Sequence, residues 1–307
     1  MNRASSALCE AATGNLANDP SSPPLAAVVL LAGSVRQSEI ASVAQRSLLD
    51  LPIRSGHTLG HYWTDAVGTF RSGCRRLDLP LLVTANSISL FPASIASDDT
   101  TIVRMDVNEP RGSGGALRDA LAGFDPASRV LIAPGHALPR GDLLDVLGLL
   151  ARANADIVIH ADAARMPTGF LLLRCGVLAG VAVNGFADLK EQVLPQLASR
   201  FDVRVVRDGH PSPLAIRSLA GYIHALRSVL SVTPGIDDAF TEEWRSAFSI
   251  AEDGSTVHPT ARLHDSVVLK GGRVGAGALV VRCLVGPGGS VAAGEAVFDK
   301  LIGSKEA

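Results

Sequence analysis

The stretch LAAVVLLAG, at residues 25–33, decides how the first part of the chain folds. Residues 28–31 form a continuous apolar run, which is typical of a β-strand buried on both faces of a sheet. Ala32 and Gly33 end the run, and small and basic residues follow, as in a phosphate-binding loop, although such loops usually carry several glycines. The stretch therefore indicates a nucleotide site, the remnant of one, or a strand followed by a simple turn.

Further apolar runs alternate with helical periods down to about residue 230. The predicted strands are 28–31, 79–84, 129–133, 157–160, 170–173 and 203–206. The predicted helices are 115–122, 142–153, 189–200 and 213–230. Strands that alternate with helices indicate an α/β fold with a mostly parallel sheet and helices on both faces.

The tail of the chain has a different pattern, with apolar residues about six positions apart and glycines between them. A period of six is typical of a left-handed parallel β-helix, in which each short strand is one side of a triangular coil. Two to three such coils do not bury their own ends, so we expect them to pack on the main domain or on another subunit. The periodic residues are Val257, Leu263, Leu269, Val274, Val280, Val285, Val291 and Val297.

These patterns divide the chain into four segments. Residues 1–24 lack an apolar period and are predicted to be a disordered leader. Residues 25–235 form the predicted α/β domain, 236–254 a linker, and 255–302 the predicted β-helix.

Composition excludes several classes of function. A net charge of −2 and an aromatic content of 4% do not suit a nucleic-acid-binding surface. The longest apolar run, residues 24–32, is too short to span a bilayer and has no basic region before it, so we expect a soluble cytoplasmic protein. The four cysteines form no C-x-x-C pair, which indicates neither a zinc site nor a disulfide framework.

Four short motifs, in this order, resemble those of the sugar-phosphate nucleotidyltransferases, the nucleotide-sugar pyrophosphorylases. They are LAG at residues 31–33, RSLLDL at 46–51, GSGGAL at 112–117, and GFADLKE at 185–191 with Leu194-Pro195 after it. The resemblance covers about residues 25–302. It implies a Rossmann-like nucleotidyltransferase domain followed by a short hexapeptide β-helix.

The resemblance also implies roles for individual residues. Arg36 and Arg46 are the implied catalytic residues, since they stand where the family has the Arg and Lys that neutralise the triphosphate. The implied nucleotide-binding residues are Ala32, Gly33, Ser34, Gly112, Ser113, Gly114 and Gly115. The implied sugar- or phosphate-binding residues are His136, Gly169, Asp188 and Lys190.

The implied metal site departs from the family pattern. Family members hold Mg²⁺ with two carboxylates, but His136 and Ala215 stand at the corresponding positions of this chain. Imidazole is a poor ligand for a hard cation, so no metal ligand is assigned, and Mg²⁺ is expected only if the protein is active. Asp106, Asp142 and Asp208 are possible substitutes. A second pair, His57 and His61, is discounted as a metal site because Gly56 and Gly60 interrupt the helix that would align the two rings.

Two functions follow from these observations. The first is an active nucleotidyltransferase that joins a nucleoside triphosphate and a sugar 1-phosphate into a nucleotide sugar and pyrophosphate. The second is a catalytically silent protein that binds a nucleotide or nucleotide sugar and regulates or scaffolds an active homologue. An acyltransferase built on the coils ranks last, because the coil stack is short. In either main case we expect a homo-oligomer, or a complex with a homologue, formed through the β-helix.

Overall fold

A computed structural model of the protein describes residues 23–33, 36–106, 111–182, 184–230 and 248–304. The chain divides into two compact units. The first comprises residues up to Arg36 together with His61–Pro213, and the second comprises Gln37–Gly60 and Leu214–Ala307. The units group residues differently from the predicted domains, because 37–60 and 214–230 belong with the C-terminal strands. Part of the predicted linker, residues 249–251, is a strand, and the predicted leader up to residue 22 lies outside the described residues.

Strands and helices are numbered here in chain order. The strands are β1 Leu25–Leu31, β2 Pro52–Arg54, β3 His57–Thr58, β4 Leu81–Asn86, β5 Thr101–Asp106, β6 Arg129–Pro134, β7 Ala137–Leu138, β8 Ile157–Ala161, β9 Pro167–Arg174, β10 Val203–Arg207, β11 Leu214–Ala215, β12 Ser249–Ala251, β13 Thr256–Val257, β14 Arg262–His264, β15 Ser266–Val268, β16 Arg273–Val274, β17 Leu279–Val281, β18 Leu284–Val285, β19 Ser290–Val291, β20 Ala296–Phe298 and β21 Leu301–Ile302.

The α-helices are α1 Glu39–Ala44, α2 Leu59–Cys74, α3 Gly112–Ala120, α4 Leu143–Arg152, α5 Leu194–Ala198 and α6 Leu219–Leu230. A π-helical turn, Leu189–Val193, leads directly into α5. Within the part of the chain that the structure describes, no helix has the length and apolar character needed to cross a bilayer.

The first unit is built on a seven-stranded sheet in the order β10-β8-β9-β6-β1-β4-β5. Four of its six neighbouring strand pairs are parallel, and the other two are antiparallel because β9 runs opposite to both β6 and β8. The predicted mostly parallel sheet is therefore confirmed. β4 and β6 are buried along their whole length, in agreement with the apolar runs at 81–83 and 130–133.

Two elements of the first unit, β5 and α2, were not predicted from the sequence patterns. β5 lies at an edge of the sheet, and its half-exposed residues do not form an apolar run. α2 includes Gly60 in its first turn, so the expectation that Gly60 interrupts a helix is wrong. His57 lies in β3, before that helix, and His57 and His61 therefore do not share a helical face.

Aromatic side chains fill the core of the first unit beside the sheet. Trp63 of α2 is fully buried and donates a hydrogen bond from Nε1 to the carbonyl oxygen of Ala137, at 3.0 Å. Its ring meets that of Phe170 on β9 edge-on, with the centroids 6.5 Å apart. The contact anchors α2 to the sheet by apolar burial and by one directional bond.

The C-terminal strands form three parallel sheets, in the orders β12-β15-β18-β21, β13-β16-β19 and β14-β17-β20. Each strand pairs with the third strand after it, so the chain visits the three sheets in turn. Residues 17 positions apart are neighbours, as in the hydrogen bonds from Cys283 to Ser266 and from Lys300 to Cys283. This arrangement of strands is compatible with a β-helix.

The predicted periodic residues form the interior of these sheets. Val274, Val280, Val285, Val291 and Val297 belong to one buried cluster. Leu269 is also fully buried, and Val257 and Leu263 pack against the cluster. The spacing of about six residues therefore marks the inward side chains correctly.

Three equivalent turns, each leading from the β14-β17-β20 sheet to the β12-β15-β18-β21 sheet, contain a non-glycine residue in the left-handed backbone conformation. Asp265, Arg282 and Asp299 occupy it with φ of 49°, 51° and 52°. Such a conformation costs energy for residues with a side chain. The same three residues form ion pairs: Arg282 contacts both carboxylate oxygens of Asp299, at 2.5 and 2.6 Å, and Arg227 of α6 pairs with the buried Asp265.

The segment 37–60 packs within the second unit. Val43 of α1 approaches the strand-end glycines Gly286 and Gly303. The Arg46 guanidinium pairs with Glu252 at 2.7 Å, and the hydroxyl of the buried Tyr222 donates to the carbonyl oxygen of Pro52. These contacts explain why the segment after the first predicted strand groups with the C-terminal strands.

Candidate functional site

The carboxyl ends of β1 and β6 mark the most favourable place for a ligand in the first unit. Within the sheet, β4 and then β5 lie on one side of β1. The next strand of this sheet along the chain, β6, lies on the other side of β1. Such a reversal of strand order opens a crevice outside the carboxyl ends of the two strands, where α/β sheets bind ligands. Ala32 and Gly33 follow β1, and Gly135 and His136 follow β6.

Small residues hold the two strand ends close together at this crevice. The Gly135 N–H donates to the carbonyl oxygen of Leu31 at 3.0 Å. A Cβ on Gly135 would lie 3.1 Å from the Cβ of Ala32, so this approach favours glycine. Gly33 is exposed, and a Cβ there would meet only ordinary contacts, the nearest being Asn86 Nδ2 at 3.5 Å. Ala32 and Gly33 therefore lie where a ligand can approach the backbone.

Asn86, which the sequence reasoning missed, ends β4 beside Gly33. Its Oδ1 accepts a hydrogen bond from the Ser89 N–H at 2.9 Å, while the Asn86 N–H donates to Ser89 Oγ at 3.0 Å. These bonds fix the turn that follows β4. The signal that could have identified it is a polar residue at the end of a buried strand.

The predicted nucleotide turn and the predicted sugar segment contact each other directly. The N–H groups of Gly114 and Gly115 donate to the carbonyl oxygen of Ala187, at 2.8 and 3.2 Å. The Ala187 N–H donates in return to the carbonyl oxygen of Arg111, at 2.8 Å. Residues 111–115 and 187–189 therefore form one structure at the start of α3.

This contact gives the glycines of the turn a different explanation from the predicted one. Gly112 has a φ of +72°, and a Cβ there would lie 2.5 Å from the Ala187 oxygen. A Cβ on Gly114 would lie 2.6 Å from Val193 Cγ2. Gly112 and Gly114 are small because the 187–193 segment packs on them, and their contact with a nucleotide stays a prediction.

Ser113 and Asp188 join the two segments through their side chains. Ser113 Oγ donates to Asp188 Oδ2 at 3.1 Å and accepts from the Leu189 N–H at 2.9 Å. Asp188 Oδ1 accepts from the N–H groups of Lys190 and Glu191, both at 2.9 Å, and so caps the π-helical turn. The Lys190 side chain is exposed.

We expect Asp188→Ala to destabilise the first unit by about 1–2 kcal/mol, because it removes the cap and the bond from Ser113. Urea unfolding of the variant measures this loss. Glu191→Ala, a change of an exposed neighbouring carboxylate, serves as the control and should change stability by less than about 0.5 kcal/mol. A stable Asp188→Ala protein with impaired ligand binding would instead give Asp188 a direct role in binding.

The two predicted catalytic arginines fall in different units. Arg36 is exposed and belongs to the first unit. Arg46 belongs to the second, where it forms the ion pair with Glu252. The structure therefore gives Arg46 a structural partner and does not place the two arginines in one unit. Ser34 lies outside the described residues.

His136 and Gly169 lie toward the carboxyl end of β6. His136 is half-buried in the turn between β6 and β7. Gly169, on β9, has a φ of +94°, and a Cβ there would lie 2.9 Å from Pro134 Cγ at the end of β6. Close packing on Pro134 therefore explains this glycine without a ligand.

The three aspartates considered as substitute metal ligands each have another task. Asp106 Oδ2 accepts from the Arg111 N–H at 2.6 Å, and Asp142 caps α4 by accepting from the Leu144 N–H at 2.8 Å. Asp208 bonds to His160. Among the described residues, no group of three His, Cys, Asp or Glu side chains is placed to hold a metal ion. The expectation that an active protein uses Mg²⁺ stays a prediction.

Asp208 belongs to a polar cluster that the sequence reasoning did not identify. His160 on β8 is almost fully buried, and its Nε2 lies 2.9 Å from Asp208 Oδ1 while its Nδ1 lies 2.9 Å from Thr168 Oγ1. Because an ionised carboxylate only accepts, His160 Nε2 is the donor in the hydrogen bond to Asp208. The His210 N–H also donates to Asp208 Oδ1, at 2.9 Å.

The pKa of Asp208 lies below its ordinary value. Partial burial raises this pKa, but the hydrogen bonds from His160 and from the His210 backbone, with the charges of the two imidazoles, lower it by more. The folded state therefore favours the ionised carboxylate. The stability gained in this way is fully present above the ordinary aspartate pKa of about 3.9 and is lost as the pH falls through the lowered pKa.

We expect the melting temperature of Asp208→Asn to depend less on pH in the acid range than that of the wild-type protein. The melting temperature of the wild-type protein should fall on acidification below about pH 4, in part because Asp208 takes up a proton. The variant lacks this titration and should lose less stability over the same range, from a lower starting value. Melting curves between pH 3 and pH 7 measure both. Parallel profiles would show that Asp208 contributes nothing to the acid dependence.

Comparisons with known proteins give structural neighbours only. No family model and no curated protein matches the chain. The crystal structure of a homolog of Mycobacterium tuberculosis rv0371c from mycobacterium sp. strain JC1 is 18% identical, with a TM-score of 0.47, over 66% of this chain and 96% of that one.

Rv0371c itself, from Mycobacterium tuberculosis H37Rv, is also similar. A crystal structure of it in complex with manganese is 18% identical, with a TM-score of 0.47, over 67% of this chain and 100% of that one. A further crystal structure of Rv0371c is 17% identical, with a TM-score of 0.46, over 67% of this chain and 99% of that one. The manganese belongs to that protein.

Proposed function

We propose that the first unit binds a nucleoside triphosphate or a nucleotide sugar at the crevice between the carboxyl ends of β1 and β6. The observation that carries this proposal is the reversal of strand order between β1 and β6, with Ala32 and the exposed Gly33 at its rim. Gly135 brings the end of β6 against Ala32. Together these residues expose backbone at a place where a phosphate group can approach it.

We further infer that the chain is of the sugar-phosphate nucleotidyltransferase type. On this proposal the first unit is a Rossmann-like nucleotidyltransferase domain, and the three C-terminal parallel sheets are the sides of a left-handed β-helix with 17 residues per coil. The order of the four motifs supports the nucleotidyltransferase domain. The pairing of each C-terminal strand with the third strand before it supports the β-helix. The coils are the proposed surface for a second copy or a homologous partner.

Binding without turnover is the form of this function that the described residues favour. Asp106, Asp142 and Asp208 stabilise a loop, a helix start and a histidine, and Ala215 stands where the family has a carboxylate. The proposed role is therefore that of a nucleotide or nucleotide-sugar binding regulator or scaffold. The alternative is an active enzyme that forms a nucleotide sugar and pyrophosphate from a triphosphate and a sugar 1-phosphate.

A thermal-shift screen tests the proposal and separates the two forms. The ligands are ATP, GTP, CTP, UTP and dTTP, each with and without Mg²⁺, and common nucleotide sugars. A ligand at a hundred times its dissociation constant adds about 2.7 kcal/mol of stability. We expect at least one ligand to raise the melting temperature without requiring Mg²⁺.

An assay of pyrophosphate release on the ligands that bind completes the test. No release with any sugar 1-phosphate agrees with a binding protein. Turnover that depends on Mg²⁺ would establish the enzyme instead. If none of the nucleotides or nucleotide sugars shifts the melting temperature, the proposed binding site is wrong.

A further inference from the structure

We propose that Phe186 is the surface on which the base of the bound nucleotide stacks. This inference rests on the proposed function and adds a residue that the resemblance does not assign. The Phe186 side chain is 46% exposed, whereas the residue after it, Ala187, is buried. An aromatic ring held at the surface by a buried neighbour offers an apolar face for stacking.

The position of Phe186 follows from its neighbours. α3 begins after β5, and the N–H of Arg111 bonds to Asp106 at the carboxyl end of that strand. The start of α3 therefore lies at the carboxyl edge of the sheet, the edge that also carries Gly33. Because Ala187 bonds to Arg111 and to the first turn of α3, Phe186 is held at this edge as well.

The segment that carries Phe186 is held by several bonds. Ala187 makes three backbone hydrogen bonds with residues 111–115, and Asp188 adds the bond from Ser113. A ring on a fixed backbone loses little freedom when a ligand covers it, so more of the contact energy appears as affinity. Phe91 is the other exposed aromatic residue described at this edge. It follows Leu90, whose backbone φ of +63° lies in the left-handed region, which is uncommon for a residue with a side chain.

The chemistry of the ring indicates the kind of ligand. Phenylalanine has no hydrogen-bonding atom on its ring, and every nucleobase presents a π-face, so stacking on Phe186 does not discriminate among bases. The exposed Lys190 stands beside the exposed Glu191, so the ring and not the charge of the segment carries the inference.

Titrations of three variants test the inference. The probes are the nucleoside triphosphate that shifts the wild-type melting temperature most, and tripolyphosphate, which lacks the base. We expect Phe186→Ala to bind the triphosphate about tenfold more weakly or worse, since stacking on an aromatic ring contributes about 1–3 kcal/mol per base. Tripolyphosphate should bind Phe186→Ala and the wild type equally, and Phe186→Tyr should keep wild-type affinity for the triphosphate.

Phe298→Ala is the matched control, because Phe298 is 49% exposed and lies in β20 of the second unit. Equal triphosphate affinity of Phe186→Ala and Phe298→Ala would overturn the inference while leaving the proposed site intact. An equal loss for triphosphate and tripolyphosphate would show that Phe186 does not stack on the base. If the wild-type protein binds no nucleotide, the proposed function fails, and this inference fails with it.

Discussion

Replacing Trp63 with alanine is expected to lower the free energy of unfolding of the first unit by about 4 kcal/mol. The side chain is fully buried, contacts Phe170 edge-on, and bonds to the carbonyl oxygen of Ala137. Its removal leaves a large cavity and an unsatisfied buried acceptor, and both effects destabilise the fold. Urea unfolding measures the change, with circular dichroism as the signal because it does not depend on the fluorescence of Trp63.

Phe91→Ala is the control for Trp63→Ala, because Phe91 is an exposed aromatic residue of the same unit. Its removal should change the free energy of unfolding by less than about 0.5 kcal/mol. Equal losses for the two variants would show that α2 is not anchored to the sheet through Trp63.

The second large effect is expected from Gly286→Ala in the second unit. A Cβ at this position would lie 2.2 Å from the carbonyl oxygen of Val43 and 3.0 Å from Val43 Cγ1. α1 would have to move away from the C-terminal sheets, or the chain after β18 would have to bend. Overpacking of this kind costs typically 1–3 kcal/mol, and contact with backbone places the expected loss at about 3 kcal/mol.

Gly303→Ala provides a closely matched control for Gly286→Ala. Gly303 lies 17 residues further on, follows β21 as Gly286 follows β18, and also faces Val43. A Cβ on Gly303 would be 3.7 Å from the nearest Val43 atom, which is ordinary contact. The two variants should therefore unfold at clearly different urea concentrations. Equal midpoints would contradict the close approach of Val43 of α1 to Gly286.

Much of the fold was predictable from the sequence, because buried strands and inward-facing repeats leave regular apolar patterns. The run at 28–31 became β1, and the spacing of about six residues marked the interior of the C-terminal sheets. β5 was not predictable, since an edge strand buries only part of its surface. The grouping of 37–60 with the C-terminal strands depends on contacts such as Arg46 with Glu252, which are 206 residues apart in sequence.

The candidate site was predictable only in part. The sequence predicted β1, the strand that Ala32 and Gly33 follow. These two residues belong to the candidate site because the strand order of the sheet reverses at β1. The packing of Ala187 and Val193 on Gly112 and Gly114 was not predictable, because the two segments lie far apart in the sequence. His160 and Asp208 lie 48 residues apart, and no local pattern connects them.

The central claim is that a nucleotide occupies the crevice beside Gly33, and Gly33→Val tests it most directly. Isothermal titration of the wild type, Gly33→Val and Gly68→Ala with each of the five nucleoside triphosphates is the measurement. A Cβ on Gly68 would enter open space in α2, so this variant controls for the mutation itself. We predict that the wild type and Gly68→Ala bind at least one triphosphate equally, and that Gly33→Val binds it at least about tenfold more weakly while its melting temperature stays close to that of the wild type. Equal binding by all three proteins, or binding by none, would contradict the claim.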